Sequence, residues 1–182
     1  GHKWEPTHSS PLSANPVSFA GGGYELCERW FTINERAGVV VHYDTRAMQL
    51  IQDMNGHVIG VHALTPEGFR TYHAKAVILA CGSFESNPEM RARYLGPGWD
   101  TVKLRGVPYN TGDGLEMALD IGALPHGSWS TCHASPQDFA RPPYDLPGPG
   151  VKGDFWSRYA YPFSVMVNLE GQRFVDEGET WR

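Results

Sequence analysis

The chain has 182 residues, a formal net charge of −5 and 41% hydrophobic residues, enough for one well-cored domain or two small ones. An acidic balance argues against a nucleic-acid-binding face, which needs cations for phosphate contacts. No apolar run reaches the roughly 20 residues of a membrane helix, so direct membrane insertion is not expected.

Gly1-His2 opens the chain without an initiator Met and is read as a tag remnant. Residues 3–20 carry three prolines and no sustained period, and are read as an extended segment. Gly21-Gly22-Gly23 precedes a helical pattern with Leu26, Trp30, Ile33 and Ala37 on one face, which Gly38 ends. Val39-Val40-Val41 then reads as a parallel strand. A three-stranded β-meander follows, over Thr45–Ile51, His57–Leu64 and Phe69–His73. Its turns are Asp53-Met-Asn-Gly56, a strong hairpin signal, and Thr65-Pro-Glu-Gly68.

Ala76–Cys81 is short and fully apolar, as a strand buried on both faces must be. It runs into Gly82-Ser83, and Asn87-Pro88 then opens a short helix to Tyr94. Thr111-Gly-Asp-Gly114 opens another helix, with Leu115, Ala118, Leu119 and Gly122 on one stripe. Thr111 is the expected cap, and Asp113 with Glu116 has capping-box spacing. Residues 130–155 hold Pro136, Pro142, Pro143, Pro147 and Pro149 without periodicity, marking a domain boundary. Tyr161–Asn168 and Arg173–Asp176 read as a hairpin around Leu169-Glu-Gly-Gln172. Cys27, Cys81 and Cys132 lack any paired or zinc-type spacing, which suits a reducing, cytoplasmic compartment and implies no metal site.

No stretch carries the Gly-x-Gly-x-x-Gly dinucleotide fingerprint. Gly112-Asp-Gly114 has Met117 where the third glycine would stand, and Gly21-Gly-Gly23 fails the spacing. By itself Thr-Gly-Asp-Gly is more often an ordinary capped helix start than a ligand-facing turn. Two glycines there let backbone approach a ligand, and the carboxylate suits hydroxyls better than phosphates. His133, between the Asp113 helix and the proline-rich stretch, is of a type that can hydrogen-bond a carboxylate, although a lone histidine is more often structural or exposed. His42, His57, His62 and His73 are read as surface residues. The cations of the C-terminal part, Arg141, Arg158, Arg173 and Arg182, are of the type that grips carboxylates bidentately. Phe155, Trp156, Tyr159, Tyr161 and Phe163 form either a small core or a pocket lining.

Ala74-Lys-Ala-Val-Ile-Leu-Ala-Cys-Gly-Ser-Phe-Glu-Ser-Asn-Pro-Glu-Met90, Tyr109-Asn-Thr-Gly-Asp-Gly114 and Val167-Asn-Leu-Glu-Gly-Gln-Arg-Phe-Val-Asp-Glu177 resemble the FAD-dependent fumarate reductase and succinate dehydrogenase flavoproteins. The resemblance covers roughly residues 20–182. It implies an α/β fold with an α+β portion: part of a two-dinucleotide-binding-type FAD domain, with parallel strands and the meander, running into a capping domain. Residues 21–128 would belong to the FAD domain and 129–182 to the cap. It also implies that the chain begins downstream of the pyrophosphate-binding fingerprint and, alone, holds FAD poorly. Gly82, Ser83, Thr111, Gly112 and Asp113 would face FAD. His133, Arg141 and Arg158 would hold the substrate, with His133 and Arg182 as catalytic residues.

Phe155-Trp-Ser-Arg-Tyr-Ala-Tyr-Pro-Phe163 departs from the Thr-Glu-x-x-Arg stretch of fumarate reductases, so succinate or fumarate fits less well. Ser128-Trp-Ser-Thr-Cys-His-Ala134, Tyr161-Pro-Phe163 and Arg173-Phe-Val-Asp-Glu-Gly-Glu179 are most similar to the tricarballylate dehydrogenases. That similarity implies a small polycarboxylate substrate, tricarballylate oxidised to cis-aconitate, and a membrane iron–sulfur/haem partner that takes the electrons. The alternatives are another flavin desaturase, fumarate reductase-like or ketosteroid dehydrogenase-like, and a non-catalytic α+β interaction domain.

Overall fold

The computed structural model describes residues 4–6, 17–145 and 156–177. The chain divides into two compact units, one of residues 1–31, 133–142 and 147–182, the other of residues 32–132 and 143–146.

In the first unit, strands β1 (Trp4–Pro6) and β2 (Val17–Phe19) pair antiparallel within the segment expected to be merely extended. Helix α1 (Gly22–Arg36), whose residues from Thr32 on belong to the second unit, forms where the period places it, between a glycine-rich start and Gly38. None of its residues is buried; Trp30 and Ile33 of the expected apolar stripe are about half exposed. Residues 133–142 and 156–177 are held mostly by turns and single bridges, Gln137 to Ser157 and Val167 to Arg173.

The second unit is built on the meander. Strands β3 (Arg46–Gln52), β4 (Val58–Thr65) and β5 (Gly68–His73) lie in that order, all antiparallel, within a residue or so of their sequence positions. The first turn closes because the Asp53 carboxylate accepts the amides of Asn55 and His57, each at 2.9 Å. Helix α2 (Pro88–Leu95) starts as expected: Asn87 Oδ1 accepts the Met90 amide at 3.1 Å and Pro88 takes the first turn. Helix α3 (Asp113–Asp120) packs against β3. Leu50, Ala63, Met90 and Met117 are the buried apolar side chains of this unit. Arg91 is buried as well, its guanidinium donating to the carbonyls of Glu85, Trp99, Asp100 and Val102. It ties α2 to the 3-10 turn Trp99–Thr101.

Three expectations are corrected. Val39–Val41 and Ala76–Cys81 form no strand among the described residues, and Ile78 is 89% exposed. A strand exists only with a neighbour to pair its backbone, and no described segment supplies one here. Second, the expected hairpin over 161–176 is reduced. Its turn is present, with Asn168 Oδ1 accepting the amides of Glu170 and Gln172, but Tyr161–Phe163 is a 3-10 turn because Pro162 lacks a ladder donor. Third, Thr111 does not cap α3. Gly112 holds the N-cap position, and Thr111 Oγ1 donates to the Asp113 carboxylate at 2.7 Å.

Candidate functional site

Two turns of the second unit, far apart in sequence, lie against each other. The Gly112 amide donates to Ser83 O at 3.0 Å and the Ser86 amide to Asn110 O at 2.9 Å. Ser86 Oγ donates to Val107 O at 2.7 Å, Asn87 Nδ2 to Thr111 O at 3.0 Å, and Asn110 Nδ2 to Glu85 Oε1 at 2.6 Å. Gly82, Ser83, Thr111, Gly112 and Asp113 are thereby brought into one constellation.

Both glycines are required by this closeness. Gly82 has φ +77, and a Cβ on it would lie 2.7 Å from Asn110 Oδ1. Gly112 has φ +89, and a Cβ there would lie 2.4 Å from Met90 Sδ. Gly112 is buried, whereas Cys81, Gly82 and Ser83 are open to solvent and present only small side chains. With no side chain larger than that of Cys81 or Ser83 on this edge, the residues present are compatible with close approach of a flat ring to the backbone.

Asp113 is the charged member. Arg46 Nε donates to its Oδ2 at 2.7 Å and Arg46 Nη2 to its Oδ1 at 3.0 Å. The Arg46 hydrogen bonds hold the Asp113 carboxyl below the usual carboxylate range, with Thr111 assisting against partial burial. Phe84, Tyr94 and Trp129 pack as an aromatic group beside the turn, with ring centroids 4.9–6.0 Å apart.

The other candidates lie in the first unit. His133 is exposed, two residues before Ser135. Arg141 is buried, and its Nη1 donates to Gln137 Oε1 at 2.6 Å. Gln137 Nε2 lies 2.6 Å from Ser135 Oγ and 2.8 Å from Ser157 Oγ. Arg158, half exposed, pairs with Asp138, and its amide donates to Pro136 O at 2.9 Å. Arg141 and Arg158 thus support one small polar assembly around residues 135–141. Arg173 pairs with Glu177, whose carboxyl also accepts the Met166 amide. Those contacts lower the Glu177 pKa to about 2, the Met166 amide being the larger cause. Arg182 lies outside the described residues. His42, His57, His62 and His73 are exposed, as expected.

Arg46, Asn110 and the Ser86–Asn87 pair were not legible as site residues. Arg46 meets Asp113 across 67 positions of sequence, and nothing in the local pattern of β3 signals that partner. Asn110 had a signal: it is a side-chain amide next to a Gly-containing turn, the usual place for an Asn that locks neighbouring backbone. Among the described residues, no cluster of three or more His, Cys, Asp or Glu is arranged to hold a metal, and the three cysteines are free and exposed. No described helix is long and apolar enough to cross a membrane.

Residues 4–182 match the family model described as the FAD binding domain. The chain is 33% identical over 159 residues to a 3-oxosteroid 1-dehydrogenase of Mycobacterium tuberculosis, covering 79% of this chain and 25% of that protein. It is 36% identical over 132 residues to a urocanate reductase of Eggerthella lenta, covering 68% of this chain and 22% of that protein. The chain therefore spans about a quarter of the length of these curated relatives. The open conformation of a flavocytochrome c3 fumarate reductase superposes with a TM-score of 0.56 at 27% identity, over 60% of this chain and 20% of that one. The relatives lie in the fumarate reductase/succinate dehydrogenase flavoprotein superfamily, and FAD is the family's cofactor. With residues 4–182 matched by that model, this chain belongs to the FAD binding domain family.

Proposed function

We propose that this chain forms part of an FAD-dependent dehydrogenase that desaturates a polycarboxylate, converting tricarballylate to cis-aconitate. The observation that carries the cofactor half is the pairing of the Gly82-Ser83 turn with the Thr111–Asp113 turn, which leaves a small, open backbone edge. FAD, when bound, supplies the two-electron acceptor that protein side chains lack. The task of the chain is then binding and orientation. Gly82, Ser83 and the 111–113 turn hold the ring edge. His133 donates to a substrate carboxylate, Arg158 adds positive charge, and Arg141 supports both through Gln137. Arg182 takes the proton released as the second hydrogen leaves. Residues 129–182 serve as the start of the substrate-covering part, in a cytoplasmic enzyme that passes electrons to a membrane iron–sulfur/haem partner. The polycarboxylate reading is supported by the Ser128–Ala134, Tyr161–Phe163 and Arg173–Glu179 segments of the sequence.

A second reading, 3-oxosteroid desaturation, is favoured by the similarity to 3-oxosteroid 1-dehydrogenase. The two are separated by assaying the protein at its full natural length, loaded with FAD, with an artificial electron acceptor. Tricarballylate turnover is expected. Turnover of a 3-oxosteroid or of succinate, with none of tricarballylate, overturns the substrate assignment.

A further inference from the structure

The Asp113 carboxylate is already occupied by the protein itself. A carboxylate offers about four acceptor positions. Arg46 takes two of them with a side-on fork, at 2.7 and 3.0 Å, and Thr111 Oγ1 takes a third at 2.7 Å. Three of its four acceptor positions are filled from within the chain, two of them by one guanidinium. Asp113 is therefore poorly suited to serve as the main anchor of a cofactor hydroxyl.

The same contacts describe a strut. Arg46 is the first residue of β3, in the three-stranded sheet of the second unit, and Asp113 is the first residue of α3. Between Asp113 and the Ser83 carbonyl stands Gly112, left-handed and hydrogen-bonded to Ser83. Holding Asp113 to the sheet limits how far Gly112 can move, and through the Gly112 amide it limits the open Gly82-Ser83 edge. We propose that Arg46 is a positioning residue for the cofactor-facing edge: its fork on Asp113 anchors the Gly112 turn to the meander, and Asp113 acts as an internal strut instead of a cofactor ligand.

This inference rests on the reading that the Gly82 and Gly112 turns face FAD, so its test has a flavin-free arm and a flavin arm. In the first, amide hydrogen exchange is measured on the chain with Arg46→Gln, Arg46→Lys and Asp113→Asn. Because the Arg46 side chain is 60% exposed, the pair is worth little to global stability, and the effect is local. The amides of Gly112, bonded to Ser83 O, and Glu116, bonded to Gly112 O, exchange about three- to fivefold faster in Arg46→Gln and Asp113→Asn, while β4 and the Arg91 amide of α2 keep their protection. Arg46→Lys keeps the charge and loses the fork, so it does not restore Gly112 protection. Uniform loss of protection across the unit, no change at Gly112, or full rescue by lysine each overturns the strut.

The flavin arm measures FAD affinity by fluorescence on the protein at its full natural length. Arg46→Gln, Asp113→Asn and the double variant weaken FAD by one common factor, about three- to fivefold, because they remove one shared device. A double variant weaker than either single one shows that Asp113 contacts the cofactor directly and overturns the proposal. A wild-type protein that binds no FAD overturns the cofactor reading beneath it, and is recognised as that failure because the exchange result is obtained without flavin.

Discussion

Replacing Gly112 by alanine places a methyl group 2.4 Å from Met90 Sδ, 3.0 Å from its Cε and 3.2 Å from Phe84 Cβ. Two costs follow. A non-glycine residue at φ +89 costs about 1–2 kcal/mol of backbone strain. Met90 is only 1% exposed, so its thioether must repack among buried neighbours, and the overpacking adds about 1–3 kcal/mol. Gly122→Ala separates the two, since Gly122 has φ +92 and nothing within 4 Å of its would-be Cβ. It should show the backbone cost alone, about 1–2 kcal/mol. The measurement is urea denaturation of the chain, followed through the β4 amides, which report the unit containing the turn. Gly112→Ala should exceed Gly122→Ala by about 1–3 kcal/mol. Met90→Ala should relieve part of that excess, so the double variant loses less than the sum of the singles. Equal losses at Gly112 and Gly122 would refute the reasoning that the turn is closed by contact with Met90.

Three further predictions concern the supports of the site. Arg91→Met removes the donor shared by four backbone carbonyls and should cost about 2–4 kcal/mol in urea denaturation; a change below about 0.5 kcal/mol would mean water replaces it freely. Asn87→Ala removes both the α2 cap and the bond to Thr111 O, for about 1–2 kcal/mol. Asn87→Asp should recover only the cap's share in thermal unfolding, and full recovery would show that the link to the second turn is idle. The Glu177 carboxyl, lowered to about 2 by the Met166 amide and then Arg173, stabilises the 166–177 turn above the ordinary carboxyl pKa, and the stabilisation is lost as pH falls through about 2. Exchange at the Met166 amide should therefore gain protection as pH rises across that window, and in Glu177→Gln it should not.

The meander was legible because each of its signals is local. The Asp53–Gly56 and Thr65–Gly68 turns set the register, and residues a few positions apart supply the hydrogen bonds that close it. Helix α2 was legible for the same reason, through Asn87 and Pro88. Ala76–Cys81 misled in structural terms because an apolar run states what a segment would bury, not whether a partner strand lies beside it. Thr111 misled because hydroxyl capping and side-chain donation to a carboxylate two residues on have the same sequence pattern.

The sequence by itself determined the glycine turns, the meander and the family to which the chain belongs, since these depend on residue type at short spacing. Only the tertiary structure decided that Gly82 and Gly112 close on one another, that Arg141 is buried while Arg158 is not, and that Asp113 answers to Arg46 across 67 residues. Contacts of that kind depend on which surfaces packing brings together, and a guanidinium at the head of a strand carries no local mark of the carboxylate it will meet.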